Sequence, residues 1–480
     1  MYIYSTESIP VLKGLEDGWM FGRKMDVFDA QWSAFRSSLP LLCAVALLHT
    51  LCISACGSVF ARFRVQLLFG IAFVLVLYGY KIIYIVGVSS LNYGLRYMFR
   101  GKNLTIATWI FSLLSLILVS GTGDDWPMFS FLRRFAGMER WSHHFNMIVL
   151  KMISYGVDYQ KARYPVNEEK RVYVKNSYKE RQELSLPIAE YSFANYISYL
   201  LYPPLVLAGP IITFNAWQSQ MVLPQKTYSP KAIVLYIFRW IGVFIIMEGF
   251  AHFNYSNAIA AQKGVALENM SSLLLGLAVS ICVLFYMWLK FLLIWRFFRI
   301  WSLLLGIETP ENMTRCVLNN YSIAKFWKGW HSSFNLWIVR YIYIPLGGKN
   351  QGVFTQLLNI SLVFLFVALW HDLDWRVFHW AFLVSLVFVP ELVGTMVFKK
   401  MRIPNPQIAK HICIAAGSFN VLLLMACNLV GYVFGMDGLS VLIDLLVKTA
   451  TPIAIILISS AIYSGVSLMM YLEERKYVHI

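Results

Sequence analysis

Apolar residues run through this chain in long stretches broken by short polar segments. A helix that crosses a bilayer needs ~20 such residues. Candidate spans fall near residues 39–57, 65–88, 104–120, 193–214, 231–252, 271–295, 353–371, 376–398, 410–434 and 450–471. The stretches near 141–156 and 326–344 are amphipathic and read as interfacial or partly inserted helices. The pattern predicts an all-α, polytopic membrane bundle of roughly ten to twelve helices with re-entrant or interfacial pieces. It forms one domain over residues 1–480, without internal repeat, low-complexity tract or separate soluble unit. Residues 1–38 carry mixed charges and no long apolar core. They read as an interfacial or soluble segment, not a cleavable signal, so the first span serves as its own insertion signal.

Composition supports the membrane class: 58% of the 480 residues are hydrophobic and 14% charged, against roughly 25% charged in soluble proteins. Lys and Arg number 41 and Asp and Glu 25, a net charge of +16. That excess fits the positive-inside bias of a multi-spanning protein, and equally a polyanionic substrate such as a nucleotide-bearing cofactor. Nucleic acid is not an expected partner, because the basic residues are dispersed through a hydrophobic chain. The longest polar stretch, 158–190, holds Lys161, Arg163, Lys170, Arg171, Lys175, Lys179 and Arg181 and reads as a basic cytoplasmic loop. The polar tail LEERKYVHI reads the same way.

Several charges interrupt the apolar runs: Lys81, Lys151, Glu248, Lys290 and Glu391. Lysines near helix ends snorkel to the surface. Glu248 has a short stem, which leaves a structural ion pair, the preferred reading, or catalysis. Seven cysteines occur without a CxxC spacing, so neither a disulfide frame nor a zinc site is indicated. Cys316 stands apart in the polar stretch ETPENMTRCVLNNYS. A free thiol is the preferred reading, with a palmitoyl site or a thiolate ligand to haem iron as alternatives.

Two segments carry the candidate chemistry. The first, FWKGWHSSFNLWIVRYIYIPLGGKN, runs from Phe326 to Asn350. Read as a helix to Ile344, it places His331 and Asn335 one turn apart, surrounded by Trp327, Trp330, Phe334, Trp337 and Tyr341. Pro345 ends it, and Gly347 and Gly348 supply a turn with free backbone. Arg340 with the amides of that turn makes a modest anion site; capping of carbonyls or contact with lipid phosphate is the alternative for Arg340. The second segment, LVFLFVALWHDLDWRVFHWA, delivers Trp370 and His371 at the end of an apolar run. Asp372 and Asp374 are placed to orient the His371 ring, and on a continuous helix His379 shares its face. Intramembrane ionisable groups are functional suspects. No HxxxH pair, GxSxG elbow, P-loop or GxGxxG fingerprint accompanies them. General-base work remains: a neutral imidazole takes a proton from an alcohol or amine attacking a carbonyl. A thioester donor needs no enzyme nucleophile, only a base, a polarising group and a dry tunnel.

The string from Phe326 to Gly348 resembles the signature of the membrane-bound O-acyltransferase family, W-H-x-S-x-x-x-W-x-x-x-Y-x-x-x-P-L-G-G. The block LWHDLDWRVFHWA is similar to the family's second block, with its near-invariant histidine. His371 takes that position. His331 takes a position held by a second histidine in several branches and by aspartate in the Hedgehog-acyltransferase branch. DGWMFGRKMDVFDAQWSAFR (17–36), YLLYPPLVLAGPIITFNAW (199–217) and HFNYSNAIA (252–260) resemble the glycerol-uptake-protein branch. That branch includes a fungal O-acyltransferase implicated in remodelling glycosylphosphatidylinositol (GPI) anchors. The chain begins close to the first of these blocks, so an upstream span of some relatives is expected to be missing.

The resemblance implies an acyl-CoA donor entering from the cytoplasm and an acceptor reaching the same tunnel from the other leaflet, with no required cofactor. The expectation is an O-acyltransferase of the endoplasmic reticulum membrane, with membrane lipids, acyl-CoA and a lipid or lipid-anchored acceptor as partners. The favoured acceptor is a lyso-GPI or related lysolipid; a protein acceptor, as in Hedgehog acylation, is the alternative. His371 is the expected base and His331, with Asn335, the polarising group. Arg340, Trp337, Trp370, Gly347 and Gly348 are the expected substrate contacts. A glycerol or polyol transporter is disfavoured by the lack of inverted repeats, and a pseudoenzyme by the presence of both histidines.

Overall fold

The computed structural model describes residues 12–122, 132, 134–165, 177–261, 273–348, 352–371, 373–431, 440, 443–444, 447–448 and 450–478. Among the described residues, nine helices are long and apolar enough to cross a membrane, in keeping with the expected all-α bundle.

Before the first span the chain turns back in an antiparallel hairpin of β1 (Leu15–Asp17) and β2 (Lys24–Asp26), a local element that the expected interfacial segment did not include. The first span, α1 (Ala30–Ser54), starts nine residues earlier than the apolar run suggests, because Asp29 caps it by accepting the Trp32 amide at 2.8 Å. Partly buried ion pairs tie this end down. Arg36 meets both oxygens of Glu248 at 2.7 and 2.9 Å, Trp19 Nε1 donates to Glu248 at 2.9 Å, and Lys290 meets Asp29 at 2.6 Å. Glu248 is therefore held in an ion pair, as preferred from sequence.

The expected span at 65–88 is two helices, α2 (Val59–Tyr78) and α3 (Ile82–Met98). Gly79 separates them at φ +59, where a Cβ would fall 2.0 Å from the Phe135 carbonyl oxygen. Lys81 lies in this joint. After α4 (Gly101–Thr122) comes α5 (Trp141–Arg163), which corrects the interfacial reading of 141–156: residues 147–158 are all buried. Its buried lysine is answered inside the protein. Lys151 Nζ donates to the carbonyls of Tyr199 and Leu200 at 3.2 and 3.0 Å. Those carbonyls end α7 (Phe193–Leu200), where a cation complements the helix dipole.

The basic stretch 158–190 is not one loop. Its first residues complete α5, and Ser177 caps α6 (Tyr178–Glu183) with a capping box. Buried Arg181 donates to the Leu223 carbonyl at 2.7 Å. Lys170, Arg171 and Lys175 lie outside the described residues. The expected span at 193–214 is also broken. After α7 come α8 (Pro203–Val206), an extended stretch and α9 (Phe214–Val222), because Pro203 forces Tyr202 out of helical geometry. Gly209 passes so close that a Cβ would lie 2.2 Å from the Pro204 oxygen.

The remaining long helices are α10 (Pro230–Phe253), α12 (Leu273–Leu304), α15 (Val353–His371), α16 (Trp375–Lys400), α17 (Pro406–Leu429) and α18 (Pro452–Val478), with the short α11 (Ser256–Ala261) after α10. Between α12 and α15 lie α13 (Ile323–Gly329), α14 (Ser332–Ile338) and a π-helical turn (Val339–Tyr343).

Candidate active site

The first segment is not the single helix expected over 326–344. Glu391, inside α16, accepts Ser322 Oγ at 2.7 Å and the Ile323 amide at 2.6 Å, so a carboxylate caps the start of α13. The helix ends at Gly329. Trp330 then forms an antiparallel bridge with Met313, and His331 adopts φ +46, ψ +50. That left-handed conformation is uncommon outside glycine and asparagine, and such residues cluster at functional sites. The His331 carbonyl restarts the helix by accepting the Phe334 and Asn335 amides at 2.9 and 3.0 Å. Asn312 holds the kink: its carbonyl accepts the Ser332 amide at 2.9 Å and its Oδ1 the Ser333 amide at 3.1 Å. Ser333 Oγ accepts the Ile211 amide at 2.8 Å.

The kink presents the His331 ring to an aromatic cage. It stacks on Trp295 at 4.4 Å with the planes 15° apart, and lies 5.2 Å from Phe334 and 6.2 Å from Trp370. His331 belongs to none of the nine membrane-length helices. Burial pushes its pKa down to about 3, and the charge of His371 acts in the same direction, so the ring is neutral at physiological pH.

His371 is the last residue of α15. Asn146, on α5, secures that terminus: its Nδ2 donates to the Trp370 carbonyl at 2.5 Å, and Trp370 Nε1 donates back to the Asn146 carbonyl at 2.9 Å. The His371 ring meets Trp370 edge-on at 4.8 Å and Trp380 at 6.4 Å. Asp374 pairs with Arg376 at 2.6 Å and caps α16, so it is not the partner expected for His371. Asp372 lies outside the described residues. α15 ends at His371 and α16 starts at Trp375, so His379 belongs to a different helix from His371; its ring lies 6.5 Å from Trp375.

Both imidazoles open onto one cavity of about 650 Å³. Gln356, Ile360, Val363, Phe364, Val367 and His371 form a stripe of α15 along its wall. Fifteen residues of helix rise make that wall about 22 Å long. Asn335 and Trp370 line the same space, as does Lys328, the one cation on the wall among the described residues. Trp337, Arg340, Gly347 and Gly348 do not. Trp337 is packed in the core and donates to the Leu150 carbonyl at 3.2 Å. Arg340 pairs with buried Asp158 at 3.3 Å, and Tyr341 donates to the same oxygen at 3.0 Å. The Gly347 and Gly348 amides are occupied by the Ile344 and Tyr343 carbonyls. Arg340 and the glycine turn thus form internal structure in place of the anion site expected there. Cys316 is half-buried and off this wall. Burial pushes its thiol up, away from the thiolate that a metal or an incoming acyl group requires. Among the described residues, no three His, Cys, Asp or Glu side chains gather into a metal site.

Sequence reasoning missed Asn146, Trp295 and Asn312, and gave Glu391 no role. Asn312 did carry a signal, as a polar residue in the conspicuous stretch before the first block. Asn146 and Trp295 carried none, since each is one residue of a long helix.

Comparison with known proteins gives this geometry a family. Residues 139–434 match the model of MBOAT, the membrane-bound O-acyltransferase family. The chain is 36% identical to the membrane-bound O-acyltransferase GUP1 of Candida tropicalis, covering 96% of this chain and 81% of the relative. It is 34% identical to GUP1 of Saccharomyces cerevisiae, over 97% and 85%. A shorter likeness, 27% identical over 50% of this chain and 48% of the relative, links it to the protein-cysteine N-palmitoyltransferase HHAT of Mus musculus. With two histidines on one cavity and a family match across more than half its length, the chain belongs to the membrane-bound O-acyltransferase family and is a multi-pass acyltransferase.

Proposed function

We propose that the enzyme moves a long fatty acyl chain from acyl-CoA to the hydroxyl of a lyso-GPI anchor or related lysolipid, in the endoplasmic reticulum membrane. The observation that carries this reading is the wall of about 22 Å from Gln356 to His371, apolar between those two residues, with His331 on the same cavity. Such a space takes a hydrocarbon chain and keeps water from the thioester. His371 removes the acceptor hydroxyl proton as the oxygen attacks the thioester carbonyl. The C–O bond forms, the C–S bond breaks, and the departing CoA sulfur recovers the proton from the His371 imidazolium. Neutral His331 donates an N–H to the carbonyl oxygen as charge develops there.

Lys328 stands on the cavity wall, and Lys399 and Lys400 end α16. The end of the bundle that carries Lys399 and Lys400 faces the cytoplasm under the positive-inside rule; Lys328, the cation on the cavity wall, is placed to meet donor phosphates. The full-length likeness is to proteins named O-acyltransferases, and the half-length one to a protein-cysteine N-palmitoyltransferase. A hydroxyl acceptor is therefore favoured over a polypeptide amine.

The test incubates the purified enzyme with acyl-CoAs of graded length and a lipid extract, and identifies the product by mass spectrometry. An acylated lysolipid or lyso-GPI is expected, and none from a folded His371→Ala variant. Wild-type product in that variant removes His371 from the mechanism; a chain recovered only on polypeptide replaces the lipid acceptor.

A further inference from the structure

A working imidazole is ordinarily oriented by a hydrogen bond to the ring nitrogen that does not react. His331 has none: among the described residues, neither of its ring nitrogens has a hydrogen-bond partner. The kinked backbone fixes where its side chain starts, not how the ring turns. What meets the ring face-on is the indole of Trp295, 4.4 Å away with the planes 15° apart. Phe334 and Trp370 stand at 43° and 45° to it and offer no parallel face. A ring laid on a flat platform cannot turn out of its plane without losing the stack.

The platform is itself held. Trp295 lies on α12, is buried, and stacks on Phe291, one turn earlier, at 5.0 Å. On the same helix, Arg296 Nε donates to Glu311 at 3.2 Å and Arg299 Nε to the Thr309 carbonyl at 3.0 Å. Those bonds tie α12 to the segment that leads into Asn312, whose carbonyl and Oδ1 hold the kink. One helix thus secures both the place of the His331 backbone and the plane of its ring. Trp295 and His331 both line the catalytic cavity.

We propose that Trp295 is a positioning residue for acyl transfer: its indole face sets the plane in which His331 presents an N–H to the thioester carbonyl. The inference rests on the acyl-transfer reading and adds to it a residue outside both sequence blocks. Stacking takes the part that a carboxylate or carbonyl partner plays for other imidazoles.

The test is a double-mutant cycle on the full-length enzyme, read as the maximal rate with labelled palmitoyl-CoA and the same lipid extract. Trp295→Leu and Trp295→Met keep an apolar side chain and remove the ring. Each should lower the rate about tenfold, while Trp295→Phe, which keeps an aromatic face, should retain most of it. In a His331→Ala background the same two changes should alter the residual rate by less than about twofold, because no ring is left to orient. A residue that only supported the fold would slow both backgrounds alike. Two ringless variants are used so that a folding failure in one, seen on size exclusion, leaves the other to decide. Equal losses in both backgrounds, a folded ringless variant at the wild-type rate, or a Phe variant no faster than the Leu variant overturns the proposal. A wild-type enzyme that forms no acylated product sinks the acyl-transfer reading and this inference with it; turnover without coupling sinks this inference alone.

Discussion

Replacing His331 by alanine and, separately, by glycine distinguishes what its backbone does from what its ring does. Both changes remove the imidazole and its stacking on Trp295, so those losses cancel in the comparison. What remains is the left-handed backbone at φ +46. An L-residue with a Cβ there costs roughly 1–2 kcal/mol, and glycine does not. Glycine gives back about 0.5–1 kcal/mol through the greater freedom of its unfolded chain. The Gly variant should therefore be more stable than the Ala variant by about 0.5–1 kcal/mol. With roughly 2 cal/mol/K of unfolding entropy per residue, a chain this long shifts its midpoint by about 1 °C or less. Paired thermal scans by tryptophan fluorescence, in one detergent at one rate, measure the difference. Activity should not follow stability, because both variants lose the same N–H donor, worth about 10²–10³ in rate. Asparagine, which tolerates the left-handed region and keeps a donor, should recover more activity than glutamine. An Ala variant as stable as the Gly variant, or either one turning over at the wild-type rate, would refute the reasoning.

Other outcomes follow from the same geometry. His331 is neutral down to about pH 3 in the folded protein and near 6.5 when unfolded. Its contribution to stability is therefore complete above pH 6.5 and is lost as pH falls toward 3; an acid limb of kcat/KM between pH 5 and 7 that disappears only in His331 variants would contradict this. Asp158→Asn leaves Arg340 buried without its ion-pair partner, which should destabilise the fold by about 3–5 kcal/mol. Lower recovery of folded protein on size exclusion, without a selective rise in donor KM, is the expected reading. Glu391→Ala uncaps α13 and should cost about 1–2 kcal/mol, with a fall in kcat larger than any change in donor KM. Unchanged kcat would show that this cap does not position His331. Lys328→Ala should raise donor KM several-fold, in a salt-dependent way, with kcat kept.

The two histidines were legible because each sits in a dense local motif, and His371 closes an apolar run that composition alone flags. Asn335 and Trp370 were legible as their neighbours and do line the cavity. Arg340 and Trp337 were misplaced for one shared reason. Helical spacing put them on the right element, but each points to a partner elsewhere on α5: Asp158 lies 182 residues from Arg340, and the Leu150 carbonyl 187 from Trp337. The helix over 141–156 looked amphipathic because its polar residues face other protein, not water, and periodicity does not distinguish the two.

By itself the sequence determined the solvent of this protein and its chemistry-bearing residues. Apolar runs long enough to cross a bilayer need no partner to be recognised, and residue type alone sets what an imidazole can do. Only the tertiary structure decided that 326–344 breaks at His331, that Asn312 holds the break and Glu391 caps the helix before it, and that two histidines from separate segments open onto one space. Those facts rest on burial and hydrogen bonds between residues far apart in the chain, where no local pattern records them.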